Sequence, residues 1–121
     1  MSGYNYEIIK VSVIQWYEKV LSGLKNQDGI ILSKNSEDTL IIDFDFQNCI
    51  AQLSVTNLQF VPYQFVYFEA IAIETSNQIY CFFDDDTWQK SDVINALDKA
   101  LIFCSNYKVT YVNPSIFTHW N

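Results

Sequence analysis

The stretch LIIDFDFQNCIAQLSVT, residues 40–56, decides the fold because apolar residues recur at every second position on both sides of the polar pair Gln47-Asn48. A period of two is typical of β-strands with one buried and one wet face. The polar pair predicts a hairpin turn, and we expect the two strands to pair antiparallel. Asp43 and Asp45 fall on the same face, which is therefore expected to meet solvent.

Further strands are predicted on both sides of this hairpin. They are residues 30–33, 64–75 and 78–83, with an additional edge strand at 109–112. Glu69 and Glu74 have opposite parity within the second of these segments, so one pleated strand cannot place both side chains in solvent. A bulge or a strand end is expected between them.

Two helices flank the strands. Apolar residues recur at steps of three and four over residues 10–25, where Trp16 is expected to pack in the core. A second helix is predicted up to about Asn106, with Asp86 as a candidate N-cap and Gln89 as its capping-box partner. Strands between segregated helices indicate an α+β fold. We expect an antiparallel sheet of about 4–6 strands, with the N-terminal and the C-terminal helix packed on one face.

The 121 residues predict a single domain, with a core over about residues 10–112 and a C-terminal tail over 113–121. The longest apolar runs are far shorter than the ~18 residues that suggest a membrane span. Residues 1–10 lack the basic and apolar regions of a signal peptide. These features predict a cytoplasmic protein that does not contact the membrane.

Several kinds of chemistry are disfavoured by what the chain lacks. All seven basic residues are lysines, and no glycine follows Gly29, so guanidinium recognition of phosphate and a phosphate-binding loop beyond that point are both absent. The single histidine, His119, lies in the predicted tail. Cys49, Cys81 and Cys104 lack the spacing of a zinc site and are expected to be reduced, buried thiols. We predict no catalytic residues, no cofactor, no metal and no nucleic-acid partner.

The charge is unevenly distributed along the chain. Residues 35–89 contain nine carboxylates and no lysine, whereas residues 1–34 have four lysines and three acids and residues 90–121 have three lysines and two acids. A concentrated negative field attracts a cationic partner, although a solvated acidic face that only provides solubility is an open alternative. The acids at 84–86 are not expected to bind a metal, because adjacent side chains in extended backbone point apart.

The acidic stretch also holds more aromatic residues than one core face can accept, so some rings are expected beside the acids, as at the centre of a protein interface.

Five segments carry a resemblance to a known family: WYEK at 16–19, IIDFD at 41–45, IAQLSV at 50–55, FEA at 68–70 and YCFFD at 80–84. Together they resemble the small bacterial immunity proteins of the TriTu family and, more broadly, immunity proteins of contact-dependent growth inhibition. The resemblance implies an α+β antitoxin that binds and neutralises the toxic C-terminal domain of a secreted effector.

We therefore predict an immunity protein that occludes the basic active site or functional surface of a cognate toxin domain. A nuclease is one candidate for that toxin. The immunity protein is expected to be a monomer or to form a one-to-one complex with the toxin. Acids would steer association and aromatic residues would anchor it. The residues expected to bind the partner are Asp43, Asp45, Tyr67, Glu69, Asp84, Asp85 and Trp88. The alternative is a small acidic secretion chaperone, for which a stable dimer holding an extended peptide would be diagnostic. An enzyme has the least support.

Overall fold

Both helices lie on one face of an open antiparallel sheet in the computed structural model, which describes residues 4–23, 29–57 and 64–108. The elements follow the chain in the order α1 (Tyr6–Gly23), β1 (Ile30–Asn35), β2 (Thr39–Asp45), β3 (Cys49–Thr56), β4 (Val66–Ala72), β5 (Gln78–Phe83) and α2 (Lys90–Asn106). Strands that are consecutive in sequence are neighbours in the sheet, and each pair is antiparallel. The predicted α+β architecture is confirmed.

The hairpin of β2 and β3 has the register that the alternating sequence predicts. Phe44 is 2% exposed and faces the helices, whereas Asp43 lies opposite Gln52 on the other face. The turn is closed by the N–H of Phe46, which donates to the carbonyl oxygen of Cys49 at 2.9 Å. A slip of one residue would turn every apolar side chain of the strand to solvent, so burial fixes this register.

A row of aromatic rings crosses the inner face of the sheet and joins the two helical regions. Trp16 of α1 contacts Phe44 of β2 with ring centroids 6.2 Å apart, and Phe44 contacts Phe68 of β4 at 5.9 Å. Phe68 stacks on Phe82 of β5 at 5.6 Å, and Phe82 stacks on Trp88 at 6.0 Å. These distances suit favourable ring pairs, so the row links α1, the sheet and the connection that precedes α2.

Helix α1 begins earlier than the predicted boundary at Lys10. The side-chain oxygen of Asn5 accepts a hydrogen bond from the N–H of Ile8 at 3.0 Å, an N-cap arrangement that satisfies a free donor of the first turn. The expected core position of Trp16 is confirmed, because this residue is 6% exposed. Its indole N–H donates to Oδ1 of Asp98 in α2 at 2.9 Å, which ties the two helices together.

Helix α2 begins later than predicted. Its N-cap is Gln89 rather than Asp86, and the backbone N–H of Gln89 donates to Oδ2 of Asp92 at 2.8 Å. The helix starts late because the preceding residues form a turn. Oδ1 of Asp85 accepts a hydrogen bond from the backbone N–H of Thr87 at 2.8 Å and stabilises that turn. Asp86 is exposed within that turn, so the helix cannot start there.

Strand β4 is shorter than the apolar run that predicts it. It ends at Ala72, and a turn over residues 73–75 takes Glu74 out of the strand that contains Glu69. The register between β4 and β5 also shifts, because Ile79 is an extra residue on β5. Of the two alternatives expected between Glu69 and Glu74, the strand end is the one present, whereas the bulge lies on β5 and leaves the alternation of β4 unbroken.

The predicted edge strand at 109–112 and the predicted tail at 113–121, with His119, lie outside the described residues, as does most of the connection between β3 and β4. Within the described ranges, no helix is both long and apolar enough to cross a membrane.

Gly29, at the entry to β1, is constrained by its backbone and by its neighbour. Its φ is +104°, and a Cβ placed on it would lie 2.8 Å from the backbone oxygen of Asp45. The N–H of Asp45 donates to the carbonyl oxygen of Gly29 at 2.5 Å, so the two backbones cannot separate without losing that bond. We expect Gly29→Ala to lower the free energy of unfolding, measured in urea, by roughly 1–3 kcal/mol.

Gly23 provides the matched control for that measurement. It is the last residue of α1, and a Cβ placed on it would meet nothing within 4 Å. Because alanine favours helix more than glycine does, Gly23→Ala should leave the free energy of unfolding unchanged or raise it by up to about 1 kcal/mol. Equal losses in the two variants would contradict the strain assigned to Gly29.

Candidate functional site

The face of the sheet opposite the helices is not covered by any element of the described residues, and we refer to it as the open face. Its side chains belong to the strand positions that alternate with the core. Cross-strand pairing arranges them in four rows, which are Thr39 and Thr56; Lys34, Ile41, Ser54, Tyr67 and Phe83; Ile31, Asp43, Gln52, Glu69 and Cys81; and Asp45, Ile50, Ile71 and Gln78. Neighbouring strands are about 4.8 Å apart, so side chains within a row contact one another.

Two of the predicted acids, Asp43 and Asp45, lie on the open face as expected from the alternation of β2. The carboxylate of Asp43 accepts hydrogen bonds from the hydroxyl of Ser33 and from Nε2 of Gln52, the latter at 2.9 Å. These two donors fix its orientation. Asp45 is exposed at the end of the strand, where its charge is presented to solvent.

Tyr67 and Glu69 also lie together on the open face, two residues apart on β4. Tyr67 is 40% exposed, and its hydroxyl donates to Oε2 of Glu69 at 3.0 Å, while Nε2 of Gln78 donates to the same oxygen at 2.6 Å. The hydrogen bond to Glu69 is the main reason that the pKa of Tyr67 is raised, so the phenol remains a donor at neutral pH. The ring is thus held in position before any partner arrives.

Exposed apolar side chains surround these polar groups, and of these Ile31 and Ile50 were not among the residues expected on this face. Ile31 is 61%, Ile50 47% and Phe83 54% exposed, all on the open face. Ile50 and Ile71 line a shallow depression of about 430 Å³, together with Asp43, Asp45 and Glu69. The sequence could have indicated the outward position of Ile50, because the alternation that buries Cys49 and Ala51 turns the residue between them to the other face.

The structure corrects the expected position of Asp84, which is 0% exposed. Its carboxylate accepts the N–H of Phe65 at 2.9 Å, the N–H of Val66 at 2.8 Å and the hydroxyl of Tyr4. A buried carboxylate needs such donors to offset its lost hydration. Asp84 therefore anchors the beginning of β4 and the N-terminal segment, and it cannot contact a partner. Burial, reinforced by the hydrogen bond to Asp84, raises the pKa of Tyr4.

Asp85 and Trp88 lie beyond the strand positions that form the open face, in the connection between β5 and α2. Asp85 is exposed in the connection to α2, and its hydrogen bonds to the hydroxyl and the backbone N–H of Thr87 lower the pKa of its carboxyl. Trp88 is half-buried and stacks on Phe82 on the helix side of the sheet. The strand ends at Phe83, so the period of two no longer applies to either residue. The open face thus brings together Asp43, Asp45, Tyr67 and Glu69, and leaves out the other three predicted residues.

The cysteines divide into two kinds. Cys49 and Cys104 are buried free thiols, as expected, and their contact is between Sγ of Cys49 and the carbonyl oxygen of Cys104 at 3.7 Å. Burial raises the pKa of Cys104 to about 12. Cys81 is exposed on β5, which corrects the expectation that all three are buried, because its position in the strand alternates with the inward Tyr80 and Phe82.

No group of three histidine, cysteine or carboxylate side chains among the described residues is arranged to hold a metal ion. Comparison of the chain with known protein families, with curated proteins and with solved structures finds no match. What the described residues define is an α+β domain whose sheet presents one uncovered, mixed acidic and apolar face.

Removal of the Asp84 carboxylate should lower the free energy of unfolding more than any single substitution on the open face does. We expect Asp84→Ala to lower the free energy of unfolding by about 3 kcal/mol or more, because three buried donors lose their acceptor. Tyr4→Phe, which removes one of them, should cost about 1 kcal/mol. The neighbouring Asp86→Asn, on an exposed residue, should stay within about 0.5 kcal/mol in the same urea titration. A small effect of Asp84→Ala would contradict the anchoring role.

Proposed function

We propose that the protein is an immunity protein that binds a cognate toxin domain through the open face of its sheet and neutralises it by occlusion. One observation carries the proposal: four of the residues expected to bind a partner, the acids Asp43, Asp45 and Glu69 and the exposed ring of Tyr67, lie on the face that no described element covers. The proposal assigns no chemical step to the chain. It requires fast association, a desolvated centre and slow dissociation.

The charge distribution supports a basic partner. The acids of residues 35–89 outnumber the lysines there nine to none, and Asp43, Asp45 and Glu69 place three of them on the open face. Lys34 lies at the β1 edge of the same face, so the face carries a net negative charge, which raises the rate of encounter with a positively charged surface. A nuclease or another enzyme that holds phosphate has such a surface, and an acidic face can occupy it in place of the nucleic acid.

The apolar and aromatic groups of the open face supply the slow dissociation that charge alone does not provide. Interfaces are held mainly by a few buried aromatic or aliphatic anchors, whereas rim charges chiefly affect the association rate. Tyr67 is 40% exposed and its hydroxyl is fixed by Glu69, while Phe83 lies opposite Tyr67 in the same row and is 54% exposed. Because these side chains project from strands, little conformational entropy is lost when they are covered.

The proposal predicts that an exported effector is encoded beside the gene of this chain, and the C-terminal domain of that effector is the probe with which the role of the acids is measured. We expect Asp43→Asn/Asp45→Asn to slow association on the order of tenfold at low salt and to flatten the dependence of the association rate on NaCl. The control Glu7→Gln/Glu18→Gln removes the same two charges from exposed positions of α1 and should change the rate much less. Association rates that respond equally to both pairs would contradict steering by the open face.

The role of the anchor is measured by dissociation. Tyr67→Ala should raise the dissociation rate by an amount that corresponds to about 2 kcal/mol or more, with little effect on association, as is typical of an interface hot spot. Ile102→Ala, at a residue of α2 that is 63% exposed, is the control and should leave dissociation unchanged. In cells that express the toxin domain, the wild type should restore growth and Tyr67→Ala should restore it less. A complex in which the chain instead wraps an unfolded effector segment would indicate the chaperone alternative.

A further inference from the structure

The shallow depression of the open face has an apolar interior. Phe44 and Ala51 line it although both side chains are buried, so strand backbone forms much of its floor. The exposed Ile50 and the neighbouring Ile71 line its sides. Its volume of about 430 Å³ is enough for one long side chain of a partner. Exposed apolar surface bordered by polar groups is typical of an interaction site.

Three carboxylates border this apolar interior, and they belong to Asp43, Asp45 and Glu69. Asp43 and Asp45 are two residues apart on β2, which places their Cα atoms ~7 Å apart on the same face. Glu69 lies two strands away from Asp43 in the same row, at about 10 Å. A positively charged group inside the depression therefore faces all three carboxylates.

The described residues orient these carboxylates without neutralising them. Asp43 and Glu69 each accept hydrogen bonds from a hydroxyl and from an amide, which are neutral donors. The carboxylate of Asp45 accepts no hydrogen bond from any side chain of residues 4–23, 29–57 and 64–108. Lys34 is on the same face but lies opposite Ile41, in a different row from the three acids. The depression thus combines an apolar interior with negative charge that calls for a cation.

We infer that the depression receives a single arginine side chain of the partner. The inference rests on the proposed function, because it names the part of the toxin domain that the open face recognises. Charge complementarity selects a cation, and the apolar sides select one on a long aliphatic stem, which lysine and arginine both have. Arginine suits the depression better, because its guanidinium is less strongly hydrated and has five donors in a planar fork. Arginine is also enriched at interface centres, where lysine is depleted.

The positions of the lining groups determine how the side chain is held. Its stem lies against Ile50 and Ile71, so the apolar surface is covered when the partner binds. Both hydrogen bonds to Glu69 go to Oε2, so Oε1 is left without a donor from the described part of the chain. The guanidinium fork donates to this oxygen and to the carboxylate of Asp45. Hydrogen bonds between two charged groups are about twice as strong as neutral ones.

N-acetyl-arginine methylamide tests the depression without any toxin, because this probe carries one arginine side chain and no backbone charge. Titrated into the full ¹⁵N-labelled chain and followed by NMR, it should shift the amide signals of residues 50–52 and 71. Binding should saturate with a dissociation constant on the order of millimolar. The citrulline analogue has the same shape without the charge and should bind at least about tenfold more weakly at equal ionic strength. The lysine analogue should also bind more weakly than the arginine probe.

The charges of the depression are tested with Asp45→Asn/Glu69→Gln, which keeps the shape of both side chains. We expect this pair to weaken binding of the arginine probe about tenfold. The matched control Glu37→Gln/Glu74→Gln makes the same charge change at two exposed residues in turns of the sheet and should leave the dissociation constant nearly unchanged.

The apolar sides are tested with Ile50→Thr, which keeps a β-branched residue in the strand. It should weaken binding of the arginine probe about threefold, because the aliphatic stem loses part of its contact. Ile73→Thr is the matched control, since Ile73 is 52% and Ile50 47% exposed, and Ile73 does not line the depression. Circular dichroism and thermal unfolding show whether each variant keeps the fold.

Two results would overturn the inference. One is equal affinity for the arginine probe and for its citrulline analogue. The other is an arginine titration that shifts amides throughout the acidic stretch and responds equally to both double variants, because the probe would then detect only the general negative field.

The C-terminal domain of the neighbouring effector separates this inference from the proposed function. If that domain binds the chain and Ile50→Thr leaves both of its rates unchanged, the depression is not the contact, whereas the proposed function stands. If that domain does not bind while the arginine probe saturates the depression, the proposed function fails and the chain still has a site for an arginine side chain.

Discussion

One-sided burial is the constraint on which the rest of this structure depends. The row of rings from Trp16 through Phe68 to Trp88 lies wholly on the inner face of the sheet, where both helices cover it. Because the strands alternate, filling one face with apolar groups determines which residues the other face must display. The open face is therefore a consequence of the core, and its acids and its isoleucines are set by the same register.

The three consecutive aspartates after β5 show how strongly the local backbone decides the role of a charge. Asp84 is fully buried and satisfied by backbone donors, Asp85 is exposed and stabilises a turn, and Asp86 is exposed within that turn. Identical side chains thus anchor a strand, shape a connection or remain in water. A count of acids along the chain describes the field around the protein but not the role of any single carboxylate.

The periodicity of apolar residues was sufficient to predict the regular strands and helices of the molecule. The five strands, both helices and the antiparallel hairpin follow from spacings of two, three and four, and so do the outward positions of Asp43, Tyr67 and Glu69. Asp84 and Trp88 follow the end of a strand, where the direction of a side chain depends on tertiary contacts that a linear pattern does not contain. The helix starts were missed for a related reason, since capping depends on one hydrogen bond, such as that of Asn5, rather than on a repeating pattern.

The bond between Tyr4 and Asp84 and the bond between Trp16 and Asp98 join residues that are 80 and 82 positions apart in the chain. Local strand hairpins can form as soon as their residues are synthesised, and α1 can already contact Phe44 of β2. The bonds of Tyr4 and Trp16, however, form only once Asp84 and Asp98 have been synthesised. Until then part of the apolar side of α1 stays uncovered, and this is the stage at which an emerging chain is most exposed to aggregation.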